Sequence, residues 1–487
     1  MHPILDKLEQ MADSRPDRMA ACDESLQLDY GRFRDLAAGL GRSISSRSER
    51  PRVGLLAPTS TAGALAIFAC WYARRTPTPL NFLLSPDELR RVVADAELDL
   101  VVAAGPLLPQ AEALGLRVLP LDAASLQPAD AAAPRVAESD TAVVLYTSGT
   151  SSEPKGVCLS FGNIAQNAAA CAEHARMTPD QVFLSVLPQF HSFGFTAMTV
   201  TPLMLGAQVW FLPRFRAATV LDAVREQRVT IFMAVASLYG ALARTRGAAA
   251  DALASLKLAI SGGEPLPSNV AAGFRQAFGV EICEGYGLTE TSPVVSINTP
   301  WAHRAGSVGR VIPGVEVFAV DERRRRAPVG AEGELAVRGH CVMQGYLNKP
   351  AETRETLADG TLYTGDLGVV DADGFVHVTG RVKDLIIVAG ENVLPIEIER
   401  VLVEHPQVAE AAVVGVADGT RGEKPIAFIT ARGGAAPAAT ELREFCRARL
   451  AGYKVPRDVF VVETLPRGPT GKVLKRALRP PAAARPA

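Results

Sequence analysis

The chain has 487 residues, 48% of them apolar, with 51 Lys plus Arg against 52 Asp plus Glu. At about 100 to 200 residues per domain, that length calls for at least two domains. A charge near zero argues against the long-range electrostatic capture that nucleic-acid binders need, and leaves small ligands as the expected partners.

Residues 1–13 set Asp6, Glu9 and Asp13 among apolar positions, which predicts an amphipathic helix and not a basic, then apolar, signal peptide. Seven cysteines, at 22, 70, 158, 171, 283, 341 and 446, include no CxxC pair. A reduced, cytoplasmic protein without a zinc site is expected.

Through the first 300 residues or so, short apolar runs at 53–56, 98–103, 141–147, 181–187 and 256–261 read as strands. Helical patterns at 61–73, 86–96 and 215–227 alternate with them, the βαβ texture of parallel sheets. The uncharged stretch 195–212 is broken by Pro202, Gly206 and Gln208, so it reads as a buried helix and strand and not as a membrane span. Residues 122–136 read as a surface connection.

From 306 to 380, short strands and turns predict a smaller antiparallel β unit, with the four arginines 323–326 at a solvated hairpin tip. Strands at 385–389 and 411–416 and helices at 395–404 and 440–451 then predict an α+β C-terminal domain. The Pro/Ala-rich end, 479–487, reads as a disordered tail. The expected fold class is α/β: a large N-terminal domain of layered α/β subdomains plus a β unit, over 1–380, and a small mobile α+β domain over 383–478.

The chemistry concentrates after the apolar run AVVLY. The stretch TSGTSSEPKG at 147–156 combines two glycines, five hydroxyl residues and one lysine. Small residues let backbone N–H groups converge on phosphate oxygens, hydroxyls add donors, and Lys155 adds charge. No GK[ST] ends it, so it is not a Walker A loop. By composition alone such a stretch is more often a plain loop.

With EGYGLTE at 284–290, YTGDL at 363–367, GRVKDLIIVAGENV at 380–393 and PRGPTGK at 466–472, it resembles the adenylate-forming superfamily. That family includes acyl-CoA synthetases, the adenylation domains of peptide synthetases and beetle luciferases. The resemblance implies an acid–thiol ligase that uses ATP, Mg2+ and coenzyme A, activating a carboxylic acid as its acyl-adenylate. It also implies roles residue by residue. Thr147, Ser148, Gly149, Thr150 and Lys155 would hold the β- and γ-phosphates. Glu290 would bind Mg2+, the hard cation that neutralises the leaving group, and Thr289 the α-phosphate. Gly263, Glu264, Pro265, Tyr286 and Gly287 would flank adenine. Asp366, with Arg381 beside it, would take the ribose hydroxyls. Lys472 would bridge the carboxylate and α-phosphate, where charge develops. Lys383 would be the hinge between two domain poses, near 381–383, and Gly390 would line the pantetheine tunnel.

Ser152 stands where the family loop usually has glycine, which implies altered ATP affinity. His191, in LPQFHSFGF at 187–195, completes the catalytic set and replaces the aspartate of amino-acid-activating members, so an amino acid is not the expected substrate. Glycine at 287, where acetate-specific members place tryptophan, leaves room for a longer acid. Phe190, Phe193, Phe195, Met198 and Met233 could line an apolar tunnel or be plain core. A medium- or long-chain fatty acid is favoured over an aromatic one. An acyl-carrier protein is the alternative acceptor, with Arg443, Arg447, Arg449 and Lys454 as its dock or as an ordinary solvated face. An inactive scaffold is the non-enzymatic alternative.

Overall fold

The computed structural model describes residues 2–122, 126–130, 132–147, 154–388, 391–418, 422–433, 436–468 and 473–480. Two compact units emerge, one of 1–263, 274–317 and 337–362, the other of 264–273, 318–336 and 363–487.

In the first unit, a nine-stranded sheet has a parallel centre in the spatial order Met19–Cys22, Gln208–Phe211, Val182–Ser185, Ile231–Ala234, Leu258–Ser261, Ile282–Gly287. Ile231–Ala234 and Leu258–Ser261 are buried along their whole length, as central parallel strands covered on both faces must be. Helices Ala217–Glu226 and Ala236–Ala243 make the crossovers that parallel strands require.

A second parallel sheet orders Thr76–Pro79, Arg52–Leu56, Leu100–Ala104 and Arg117–Leu121. Its helix Pro86–Asp95 starts where Ser85 and Glu88 form a reciprocal capping box ahead of a proline at the first turn. A third, antiparallel sheet joins Thr141–Thr147, Lys155–Ser160 and Gly345–Tyr346.

The stretch expected as buried helix and strand opens differently, as a π-helix over Phe193–Val200, followed by helix Thr201–Leu205 and strand Gln208–Phe211. Thr199 and Thr201 donate their hydroxyls to the carbonyls of Gly194 and Thr196, each five residues back and 2.8 Å away, which suits the wider helical turn.

The second unit contains Val376–Arg381, paired with residues 366–370 of strand Thr361–Val370, and an α+β layer in which Val408–Ala417, Glu423–Ala431 and Asp458–Val461 carry helices Pro395–Glu404 and Ala439–Arg447. Ile398, Leu402, Val413, Ile429, Leu442 and Cys446 form its core. The helix expected at 440–451 stops at Arg447, and a 3-10 turn at Gly452–Lys454 follows. The arginine run sits in a turn with all four members exposed, as expected; Arg324 lies 3.9 Å from the Tyr363 ring centroid, Arg326 4.7 Å from that of Phe318, and Arg325 pairs with Asp321 at 2.7 Å. All seven cysteines are free thiols. Among the described residues, no helix is long and apolar enough to cross a membrane.

Candidate active site

The carboxyl ends of parallel strands are where open α/β sheets gather ligands. His191 follows Val182–Ser185, Gly263 follows Leu258–Ser261, and Thr289 and Glu290 follow Ile282–Gly287. Residues far apart in sequence are thereby delivered to one edge of the nine-stranded sheet. Thr289 and Glu290 lie in a 3-10 turn fixed by Thr291, whose hydroxyl bonds the backbone of Leu288 and Pro293. Ser192 reaches the Thr289 hydroxyl at 3.2 Å, tying the turn after one strand to the turn after the other.

The Ser/Thr/Gly-rich stretch connects two strands of a hairpin, with Thr147 and Lys155 as cross-strand partners at its mouth. Ser148, Gly149 and Thr150 lie outside the described residues, as does Ser152. Lys155 holds its ammonium 5.1 Å from the ring centroid of Tyr346. The phenol of Tyr346 donates to Glu290 Oε1 at 2.9 Å. Lys155, Tyr346 and Glu290 thus form one contiguous group.

His191 starts the turn that leads into the π-helix, its ring packed 5.2 Å from that of Phe190. Burial pushes its pKa down to about 4, so the imidazole is neutral at pH 7. A neutral ring can donate or accept one hydrogen bond but offers no cation. Gly194 allows this turn to close: a Cβ there would come within 2.1 Å of the Pro188 carbonyl oxygen.

Tyr286 is half-buried on Ile282–Gly287, opposite Ser296. Gly287, next along, faces a harder limit than pocket size. A Cβ at that position would lie 1.7 Å from the Pro293 carbonyl oxygen, so the glycine is required by the backbone alongside it. Phe195 and Met198 are fully buried, and Phe195 packs 6.2 Å from Trp71, which makes them core and not tunnel wall. Phe193 is half-exposed, and its ring lies 3.2 Å from where a Cβ on Gly262 would sit.

In the second unit, Asp366 is 3% exposed and stands opposite Arg381 on paired strands, with Arg381 Nε 2.7 Å from its Oδ1. The Gly365 N–H bonds Glu334, and the Thr364 hydroxyl bonds the Leu335 carbonyl, so the YTGD segment is pinned immediately ahead of the carboxylate. Glu264 is half-buried and Pro265 exposed. Lys383 is exposed in the 3-10 turn Val382–Asp384. Gly390 lies outside the described residues, between the hairpin strands Ile386–Val388 and Glu391–Val393. Lys472 also lies outside them; Arg467, before it in sequence, forms a bridge with Val473, just after it.

Sequence reasoning missed Tyr346 and Ser192. Tyr346 belongs to a two-residue strand, and its partners Lys155 and Glu290 are distant in sequence, so no local pattern points to it. Ser192 sat inside a quoted motif, but its partner Thr289 is 97 positions away.

The chain belongs to the AMP-binding enzyme family: residues 8–347 match the family's main model, "AMP-binding enzyme", and 397–472 match "AMP-binding enzyme C-terminal domain". It is similar to a feruloyl-CoA synthase of Amycolatopsis sp, at 35% identity over 93% of both chains. It is also similar to a long-chain-fatty-acid–CoA ligase of Bacillus subtilis, at 37% identity over 70% of this chain and 62% of that one. Among solved structures, ATP-bound MatB from Rhodopseudomonas palustris matches at TM-score 0.91 and 30% identity, covering 98% of each chain. The o-succinylbenzoate coenzyme A synthetase of Bacillus subtilis with ATP and magnesium matches at TM-score 0.87 and 28% identity, over 97% of this chain and 98% of that one.

Proposed function

We propose that this protein is an AMP-forming acid–thiol ligase that activates an organic carboxylate with ATP and passes the acyl group to coenzyme A. The observation that carries this reading is the Lys155–Tyr346–Glu290 group at the mouth of the hydroxyl-rich hairpin, a cation and a carboxylate on either side of one tyrosine where a triphosphate and its metal would sit. Membership of the AMP-binding family and its CoA-ligase relatives support the same reading.

Lys155 and Thr147 would hold the leaving phosphates, with Ser148, Gly149 and Thr150. Thr289 would hold the α-phosphate. Asp366 suits the ribose hydroxyls because a carboxylate accepts hydrogen bonds and this buried one is oriented by Arg381. Tyr286, Gly263, Glu264, Pro265 and Gly287 would flank adenine. Lys472 would stabilise charge as carboxylate attacks, and neutral His191 would orient the acid by hydrogen bonding. Among the described residues, no three His, Cys, Asp or Glu side chains cluster as a metal cage. One carboxylate, Glu290, with phosphate oxygens and water completing the shell, nevertheless fits Mg2+. That ion would neutralise the departing pyrophosphate. Lys383 would serve as hinge between 1–380 and 383–478, and Gly390 would line the path of the thiol.

A carrier protein is a weaker acceptor reading. Arg449 pairs with Glu404 at 3.7 Å and Lys454 with Glu397 at 2.5 Å, so half of the expected basic dock is already neutralised within its own unit. Retention of Lys155, Glu290, Asp366 and Arg381 argues against an inactive scaffold.

For the acid, a medium- or long-chain fatty acid is supported by the likeness to the Bacillus ligase. An aromatic acid is favoured by two observations: the feruloyl-CoA synthase is matched over nearly its whole length, and Phe195 and Met198 are core, which shortens any apolar tunnel. Thioester formation with octanoate, palmitate, benzoate and ferulate, read by mass spectrometry, decides. Ferulate or benzoate products without palmitoyl product support the aromatic reading, and the reverse supports the fatty acid.

A further inference from the structure

Lys155 and Glu290 carry opposite charges in one neighbourhood and would neutralise each other if they met. Among the described residues they form no ion pair, and Tyr346 lies against both. Its ring faces the Lys155 ammonium at 5.1 Å, and its phenol donates to Glu290 Oε1 at 2.9 Å. Three constraints fix the backbone that bears the ring. Tyr346 pairs with Val157 in the ladder beside Lys155, its N–H donates to the Thr353 hydroxyl at 2.9 Å, and the Leu347 N–H donates to the Gly156 carbonyl at 2.7 Å. The turn that bears Glu290 is tied to the same segment, because the Met343 N–H donates to the Glu290 carbonyl at 2.9 Å.

We propose that Tyr346 is a positioning residue that keeps these charges apart, reserving Lys155 for phosphate and turning the second Glu290 oxygen to a divalent cation. The inference rests on the nucleotide-activating reading above. A phenol is ordinarily protonated throughout the physiological range, so the Tyr346 hydroxyl can remain a donor to Glu290. A neutral donor on one oxygen orients a metal-binding carboxylate without competing for its charge, as outer-shell partners of ligands do. The ring contributes a weak cation–π attraction that holds Lys155 without consuming a hydrogen-bonding position.

Tyr346→Phe separates the two contacts, since it keeps the ring and removes the hydroxyl. The readout is binding and not turnover: Mn2+ affinity in the presence of a non-hydrolysable ATP analogue, by electron paramagnetic resonance, and affinity for the same analogue in EDTA, by calorimetry. We expect Mn2+ affinity to weaken by about tenfold, the lower end for loss of an outer-shell partner, with metal-free analogue binding within about twofold of wild type. Tyr346→Leu, lacking the ring as well, should weaken both. Unchanged Mn2+ affinity in Tyr346→Phe overturns the proposal, and so does an equal loss of both affinities, which would mark a merely structural tyrosine. Failure of the wild-type protein to bind the analogue at all would instead overturn the nucleotide-activating reading.

Discussion

The candidate site residues are constrained more by what surrounds them than by what they would touch. Asp366 is the clearest case, buried and joined to Arg381. Replacing it by Ala leaves a partly buried guanidinium without its partner, at about 1 to 3 kcal/mol. It should also raise the KM for ATP at least about tenfold, because a hydrogen-bonding site that loses its partner group discriminates strongly. Steady-state kinetics with ATP varied would check this, and an unchanged KM would remove Asp366 from the nucleotide. Gly287 corrects a simpler expectation. Glycine there was read as room for a longer acid, and tryptophan as a plug that would shorten it. The Pro293 carbonyl at 1.7 Å from a Cβ means that even Gly287→Ala must move backbone. Activity should therefore fall with every acid, with a loss of stability of about 1 to 3 kcal/mol. A shift in chain-length preference at full stability would show that the turn yields more easily than this packing implies.

Elements show which parts of the fold the sequence made legible. Strands 141–147 and helix 395–404 were read to the residue, because apolar runs and a proline at the first helical turn state their own limits. The π-helix was not legible: hydrophobic period cannot separate it from an α-helix when both faces are buried, and its threonine-to-carbonyl bonds show only in three dimensions. At the site, motif order pointed to Glu290, Thr289 and Asp366, whereas Tyr346 and Ser192 emerge only from long-range pairing. The first helix, Leu5–Ser14, adds a pH-sensitive element. Its amino end is capped from outside, by His2 Nδ1 accepting the Ile4 and Leu5 N–H groups at 3.3 and 3.0 Å. Burial lowers the His2 pKa from 6.5 to about 4, so the unfolded chain takes up the proton more readily. Stability from this group is full above pH 6.5, falls through the window down to about pH 4 and is lost below it, for a total of roughly 3 kcal/mol. His2→Asn keeps a capping oxygen that does not titrate. The wild-type melting temperature should accordingly fall further than that of His2→Asn between pH 7 and pH 5, and equal falls would exclude the histidine cap as the sensor.

At the scale of the whole molecule, the proposed ligase has two half-reactions, and they should separate under mutation. Lys472→Ala should abolish acyl-adenylate formation yet leave thiolysis of a supplied acyl-adenylate by coenzyme A within about tenfold of wild type, because the role proposed for the lysine is to stabilise charge only during attack on the α-phosphate. Normal adenylation in that variant would remove Lys472 from the reaction. The most direct test is acid-dependent exchange of labelled pyrophosphate into ATP, with Mg2+ and without coenzyme A, across aliphatic and aromatic acids. Exchange that requires one acid class, and that gives way to thioester and AMP when coenzyme A is added, is the expected result; no exchange with any acid, from a folded protein that binds ATP, would contradict the adenylating ligase.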